Sequence, residues 1–160
     1  MPDLMLHLLI AVILAEIFNI KKKSLVILGA LLPDLLSKWF LIYVHFGIAP
    51  LISFVVFHTP MMVFLISLLI APVFRYNQSK VIGLINLGAL SEILSDLTMK
   101  HFTVVGSRIF FPFSNANYTF NLIWPEQSIY ILAGSFITYL LILLVKKKHI
   151  LKNSQNKSKL

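Results

Sequence analysis

The chain lacks cysteine altogether, and acidic side chains are scarce, with six among 160 residues. The missing thiols exclude both a disulfide framework and a thiolate metal site. Charged residues make up 12% of the chain against 58% hydrophobic ones, with a mean hydropathy of +0.87. That balance excludes intrinsic disorder and is far too apolar for an ordinary soluble domain. No internal repeat and no domain linker interrupts it. Residues 1–150 therefore read as one domain and 151–160 as a basic, disordered, solvated tail. The opening MPDLM carries no basic n-region, so the first apolar run is expected to stay in the mature protein.

Five apolar runs are present, at about 3–20, 24–44, 49–74, 81–99 and 127–145. Each approaches the ~20 residues that cross a bilayer core. They predict an all-α integral membrane protein, a bundle of about five transmembrane helices; the first run is short and carries His7 and Glu16. The net charge of +8 raises nucleic acid as a partner, but the placement of the basic residues argues against it. Eleven of the fourteen fall in three clusters beside apolar runs: Lys21, Lys22 and Lys23; Arg75 and Lys80; and the tail from Lys146 to Lys159. Clusters so placed act as topology signals and as contacts for anionic membrane lipids. Setting all three in the cytoplasm gives one consistent threading of the inner membrane, with the N-terminus outside and the basic C-terminus inside. Residues 100–126 are too mixed to span. Their Phe110, Phe111, Phe113, Tyr118, Phe120 and Trp124 suit a re-entrant or interfacial loop at headgroup level.

Residues 24–39, SLVILGALLPDLLSKW, organise the rest. An apolar run long enough to enter a membrane is broken by Pro33, which removes a backbone donor, and then by Asp34. A carboxylate at that depth costs roughly 2.5–3.5 kcal/mol on insertion scales and is usually paired or functional. Asp3 and His7 share one helix face four residues apart, as do Glu92 and Asp96, and His58 lies in the third run. At 1.5 Å per residue from each cytoplasmic end, Asp34 lies about 15 Å deep, Glu92 about 17 Å and His7 about 20 Å. Asp96 follows at about 22 Å, His58 at about 24 Å and Asp3 at about 26 Å. All six share the outer half of the core.

Four isolated carboxylates there would cost on the order of 10–14 kcal/mol, comparable to the stability of a whole domain. They are expected to face one another, water or cations. A divalent metal would satisfy several carboxylates and neutral imidazoles together, and mixed His/Asp/Glu ligation suits zinc, manganese or iron better than calcium. Plainer readings stand beside this one. Asp34 with Lys38, and Asp96 with Lys100, have salt-bridge spacing. His58 alone reads as a hydrogen-bonded core histidine, Asp3 with His7 as an interfacial cap, and His45 and His101 as solvated helix ends. Glu92 is harder to dismiss, because no cation sits three or four residues away on its helix.

At these residues the chain resembles the membrane-bound metal-dependent hydrolase family, the YdjM-like inner-membrane hydrolases also described as LexA-binding. The likeness covers roughly residues 1–115. It rests on His7, GALLPD at 29–34, His58-Thr59, LSEILSDLT at 90–98 and FPFS at 111–114. It implies His7, Asp34, His58 and Asp96 as metal ligands, with the FPFS loop, including Ser114, covering the site. Two departures stand out. Glu92 occupies a position where the family commonly has histidine, and ISFVVF precedes His58 where a His-Arg-Gly is common. Glu92 and Asp96 are the catalytic candidates, Glu92 as a further ligand or as general base. Arg108 could hold an anionic headgroup, which points to a lipid or amphiphilic, phosphorylated substrate. An ion-coupled transporter and a non-enzymatic membrane assembly protein whose polar cluster joins helices remain as rivals, and a homo-oligomer stays open.

Overall fold

The computed structural model describes residues 4–45, 54–100 and 108–157. They form five α-helices and, among the described residues, no strand: α1 (Leu4–Ile17), α2 (Lys23–His45), α3 (Pro60–Ile70), α4 (Gln78–Thr98) and α5 (Ser128–Lys157). Two of them, α4 and α5, are long and apolar enough to cross a membrane. Asp3 and His101 lie outside the described residues, as do the side chains of Lys38 and His45.

The helix boundaries follow from local chemistry. The first run stops as a helix at Ile17 because Asn19 adopts φ 51°. Ile20 N–H then reaches the Ala15 carbonyl at 2.9 Å and Asn19 N–H the Glu16 carbonyl at 3.1 Å. This is the Schellman closure that a left-handed residue after the helix allows. The result is a helix of 14 residues, about 21 Å long. The third run is likewise not one helix. A 3-10 turn, Phe54–His58, comes first, and the α-helix opens only at Pro60, with Thr59 as its cap and the Thr59 hydroxyl accepting from Met62 N–H at 3.3 Å. Proline at the first helical position starts a helix readily because its missing N–H is one that would go unbonded anyway. Pro33, by contrast, sits inside α2 without ending it. α5 continues to Lys157, through most of what the sequence reads as a tail.

The centre of the bundle is the α2–α4 pair. α1 packs on both of these helices, α3 packs on α4, and α5 packs on α1. Two glycines set the central distance. A Cβ added to Gly29 would strike the Ile85 carbonyl, and one added to Gly88 would strike the Val26 carbonyl. Small residues that let backbones touch are what hold helices together where apolar solvent offers no hydrophobic drive. Ala11, Ala15, Val26 and Ala30 continue this close packing between α1 and α2. Val63 of α3 meets Ala89, Ile93 and Leu97 of α4, and Asn86 Nδ2 donates to Ser67 Oγ across the same pair at 2.8 Å.

Described members of the basic clusters meet at one end. The Glu16 carboxylate, nearly fully buried, holds both Lys23 and Lys146, the latter at 2.8 Å. Lys146 also donates to the Glu16 carbonyl at 2.6 Å. Lys22 lies over the Tyr76 ring at 4.0 Å, beside Arg75. At the opposite end the residues after α4 fold back on it. Met99 bridges Ile123, Phe120 and Leu122 N–H groups bond the Leu97 and Thr98 carbonyls, and Ile109 packs against Val63, Ala89, Ile93 and Leu97.

Because a side chain at either central glycine meets backbone rather than a movable side chain, Gly29→Val or Gly88→Val should destabilise by the upper part of the overpacking range, about 3 kcal/mol or more. Gly83→Val, which meets nothing within 4 Å, should leave stability unchanged or raise it by under about 1 kcal/mol, valine being the better helix former. Thermal unfolding in detergent separates the three.

Candidate metal centre

Five ionisable side chains from four elements converge away from the basic end. His7 comes from the first turn of α1, and Asp34 from the middle of α2, directly after Pro33. Glu92 and Asp96 lie one turn apart on α4. His58 ends the 3-10 turn before α3, where the Thr59 hydroxyl anchors the chain by donating to the Val56 carbonyl at 2.8 Å. Gly88, Glu92 and Asp96 are spaced four apart, so the glycine that admits α2 and the two carboxylates occupy one stripe of α4. Glu92 is 0% exposed, His7 1% and Asp34 3%; Asp96 and His58 are nearly as deep.

His58 Nε2 stands 3.2 Å from Glu92 Oε1, 3.5 Å from Asp34 Oδ1 and 3.9 Å from Asp96 Oδ2. His7 Nε2 stands 3.3 Å from Asp96 Oδ1. A single ring nitrogen carries at most one proton, so it cannot satisfy three carboxylates by hydrogen bonding. His7 Nδ1, both Glu92 oxygens and Asp96 Oδ1 are buried without a hydrogen-bond partner: the approaches of Glu92 and Asp96 to the imidazoles are at ion-pair distance but out of alignment. These separations exceed the roughly 2.7–2.9 Å of a good charge-assisted hydrogen bond. They match the spacing of about 3.4 Å between two ligands held tetrahedrally at about 2.1 Å from one ion. His7, Glu92 and Asp96 form one group of potential ligand atoms within 4.8 Å of one another, and Asp34, His58 and Glu92 form a second. The cluster could hold a metal ion, and its mixed imidazole–carboxylate donors suit zinc or manganese.

Every described side chain that the sequence singles out as a metal candidate is in this cluster. In place of the alternative Asp96–Lys100 salt bridge there is a cation–π contact, with Lys100 over the Trp124 ring at 4.0 Å. Arg108 and Ser114 sit in the loop that docks beside α4. There Arg108 Nε donates to Asn117 Oδ1 at 3.4 Å, and the Ser114 hydroxyl accepts from Ala116 N–H.

The sequence reading passed over a groove of about 810 Å³ between α1, α4 and α5. Leu6, Ser91 and Ser95 line it, each one residue from His7, Glu92 or Asp96. The Ser91, Ser95, Thr98 and Thr138 hydroxyls donate to carbonyls of their own helices at 2.6–2.9 Å, so the groove shows a largely apolar wall. The i, i+4 spacing of Ser91 with Ser95, and of Gly134 with Thr138, was the available signal.

An ion that binds only the folded cluster stabilises the fold by mass action. Zinc or manganese at 100 times its Kd should add about 2.7 kcal/mol, read as a rise in unfolding midpoint that disappears when His7 and His58 are both alanine. Without metal the sign reverses at Glu92. Glu92→Gln should raise the midpoint of chelator-treated protein, because it removes an unsatisfied buried charge worth about 1–3 kcal/mol.

Compared with known proteins, the chain matches no family model, no curated protein and no solved structure.

Proposed function

We propose that the protein is a metal-dependent hydrolase embedded in the inner membrane, acting on a lipid or lipid-like amphiphile from the outer half of the bilayer. The observation that carries this reading is the convergence of His7, Asp34, His58, Glu92 and Asp96 with buried atoms that lack hydrogen-bond partners. The motif resemblance points the same way. In this reading the basic end faces the cytoplasm, in keeping with the positive-inside rule, and the N-terminus lies outside.

His7, Asp34, His58 and Asp96 bind the ion, and Glu92 is either a further ligand or the base that takes a proton from the attacking water. A divalent ion bound there supplies Lewis acidity and lowers the pKa of a coordinated water toward neutrality. The largely apolar groove along α4, lined by Ser91 and Ser95 next in sequence to Glu92 and Asp96, supports a substrate with an apolar chain. Arg108, on the loop beside α4, supplies the guanidinium that an anionic headgroup would need. Pro33 beside Asp34 inside α2 favours ion-coupled transport as the second reading.

Purified protein in mixed micelles should hydrolyse a lipid from a panel of phospholipids and isoprenoid phosphates. Chelation should stop turnover, and Glu92→Gln should lower it by about 10²-fold or more. Arg108→Ala should raise KM for anionic substrates with little change for neutral ones. Metal-loaded protein inert on the whole panel would sink the hydrolase, and ion flux into proteoliposomes that persists in Glu92→Gln would favour the carrier.

A further inference from the structure

The five donors do not gather into one group. They divide into two triads, His7–Glu92–Asp96 and Asp34–His58–Glu92, and only Glu92 belongs to both. Two ligands of a single ion at about 2.1 Å can be at most about 4.2 Å apart, so one ion cannot engage both triads in full. Glu92 is built for the shared position. It is 0% exposed, and neither of its oxygens has a hydrogen-bond partner. Asp96 also lies between the imidazoles, with Oδ1 3.3 Å from His7 and Oδ2 3.9 Å from His58.

Charge favours cations at the same place. No Lys or Arg side chain among the described residues pairs with Glu92 or Asp96, and a buried carboxylate without compensation is costly.

We infer that the cluster is a two-metal centre in which the Glu92 carboxylate bridges an ion on the His7 side and an ion on the Asp34–His58 side. This rests on the metal-binding reading above and decides between the two roles left for Glu92: it is the bridge, and the proton from water goes elsewhere. A two-metal clamp, with ions about 3.5–4 Å apart, suits in-line displacement at phosphorus, where it stabilises both the attacking and the leaving oxygen. It therefore narrows the substrate class to phosphate esters or anhydrides of lipids.

The test counts metal and needs no substrate. Detergent-purified full-length chain is stripped with chelator, equilibrated with Mn²⁺, freed of excess ion and analysed by elemental analysis and electron paramagnetic resonance. Two ions per chain are expected, with a spectrum showing exchange coupling between them. His7→Ala and His58→Ala should each retain one ion and show the pattern of isolated Mn²⁺. Glu92→Gln should lose the coupling. One ion per chain in the unaltered protein, or two without coupling, overturns the bridge and leaves single-ion hydrolysis standing. No bound ion overturns both. Because the unaltered chain gives the deciding result, a variant that fails to fold does not blunt the test.

Discussion

Three carboxylates and two imidazoles share a space that water hardly reaches. Ionised and alone in hydrocarbon, the carboxylates would oppose insertion by on the order of 8–10 kcal/mol, as much as a whole domain commonly has to spare. The rest of the bundle is arranged around that constraint. Gly29 and Gly88 bring α2 and α4 into backbone contact, which sets Asp34 and Glu92, one turn or so further on, against each other. Thr59 and Pro60 stop the third run from helixing too early and so present His58 to both. α1 packs on this pair through alanines and delivers His7.

Much of this was legible in the residues themselves. Charge scarcity made each acid conspicuous, and helical rise alone put His7, Asp34, His58, Glu92 and Asp96 at compatible heights. The three basic clusters could be assigned to one end before any contact was known, and Glu16 and Tyr76 now supply the contacts that join them. Where a helix is shorter than its apolar run, a local cap overrides hydropathy. Asn19 in the left-handed region and Thr59 before Pro60 end or delay helices inside runs that remain apolar. The pairing of Glu16 with Lys146 was invisible because it joins residues 130 positions apart. The groove escaped notice because its hydroxyl-bearing residues look like ordinary interruptions of apolar helices.

The two ends of the molecule use opposite solutions to the same problem. At the basic end one acid, Glu16, meets two ammonium groups and a nearby surface, so its charge is neutralised by protein alone. At the other end Glu92 and Asp96 keep unsatisfied oxygens. A structural polar joint resembles the first. A centre waiting for a cation resembles the second.

The shortness of α1 and α3 bears on how such a buried centre could be supplied from outside. At 14 and 11 residues they extend about 21 Å and 17 Å, well under a hydrocarbon core of roughly 30 Å. A bilayer answers such mismatch by thinning around the short segments. Both imidazoles stand at the truncated ends, His7 in the opening turn of α1 and His58 just ahead of α3. Under the proposed embedding, a dimple in the leaflet would form over them and lower headgroups and solvent onto residues that a flat membrane would keep dry.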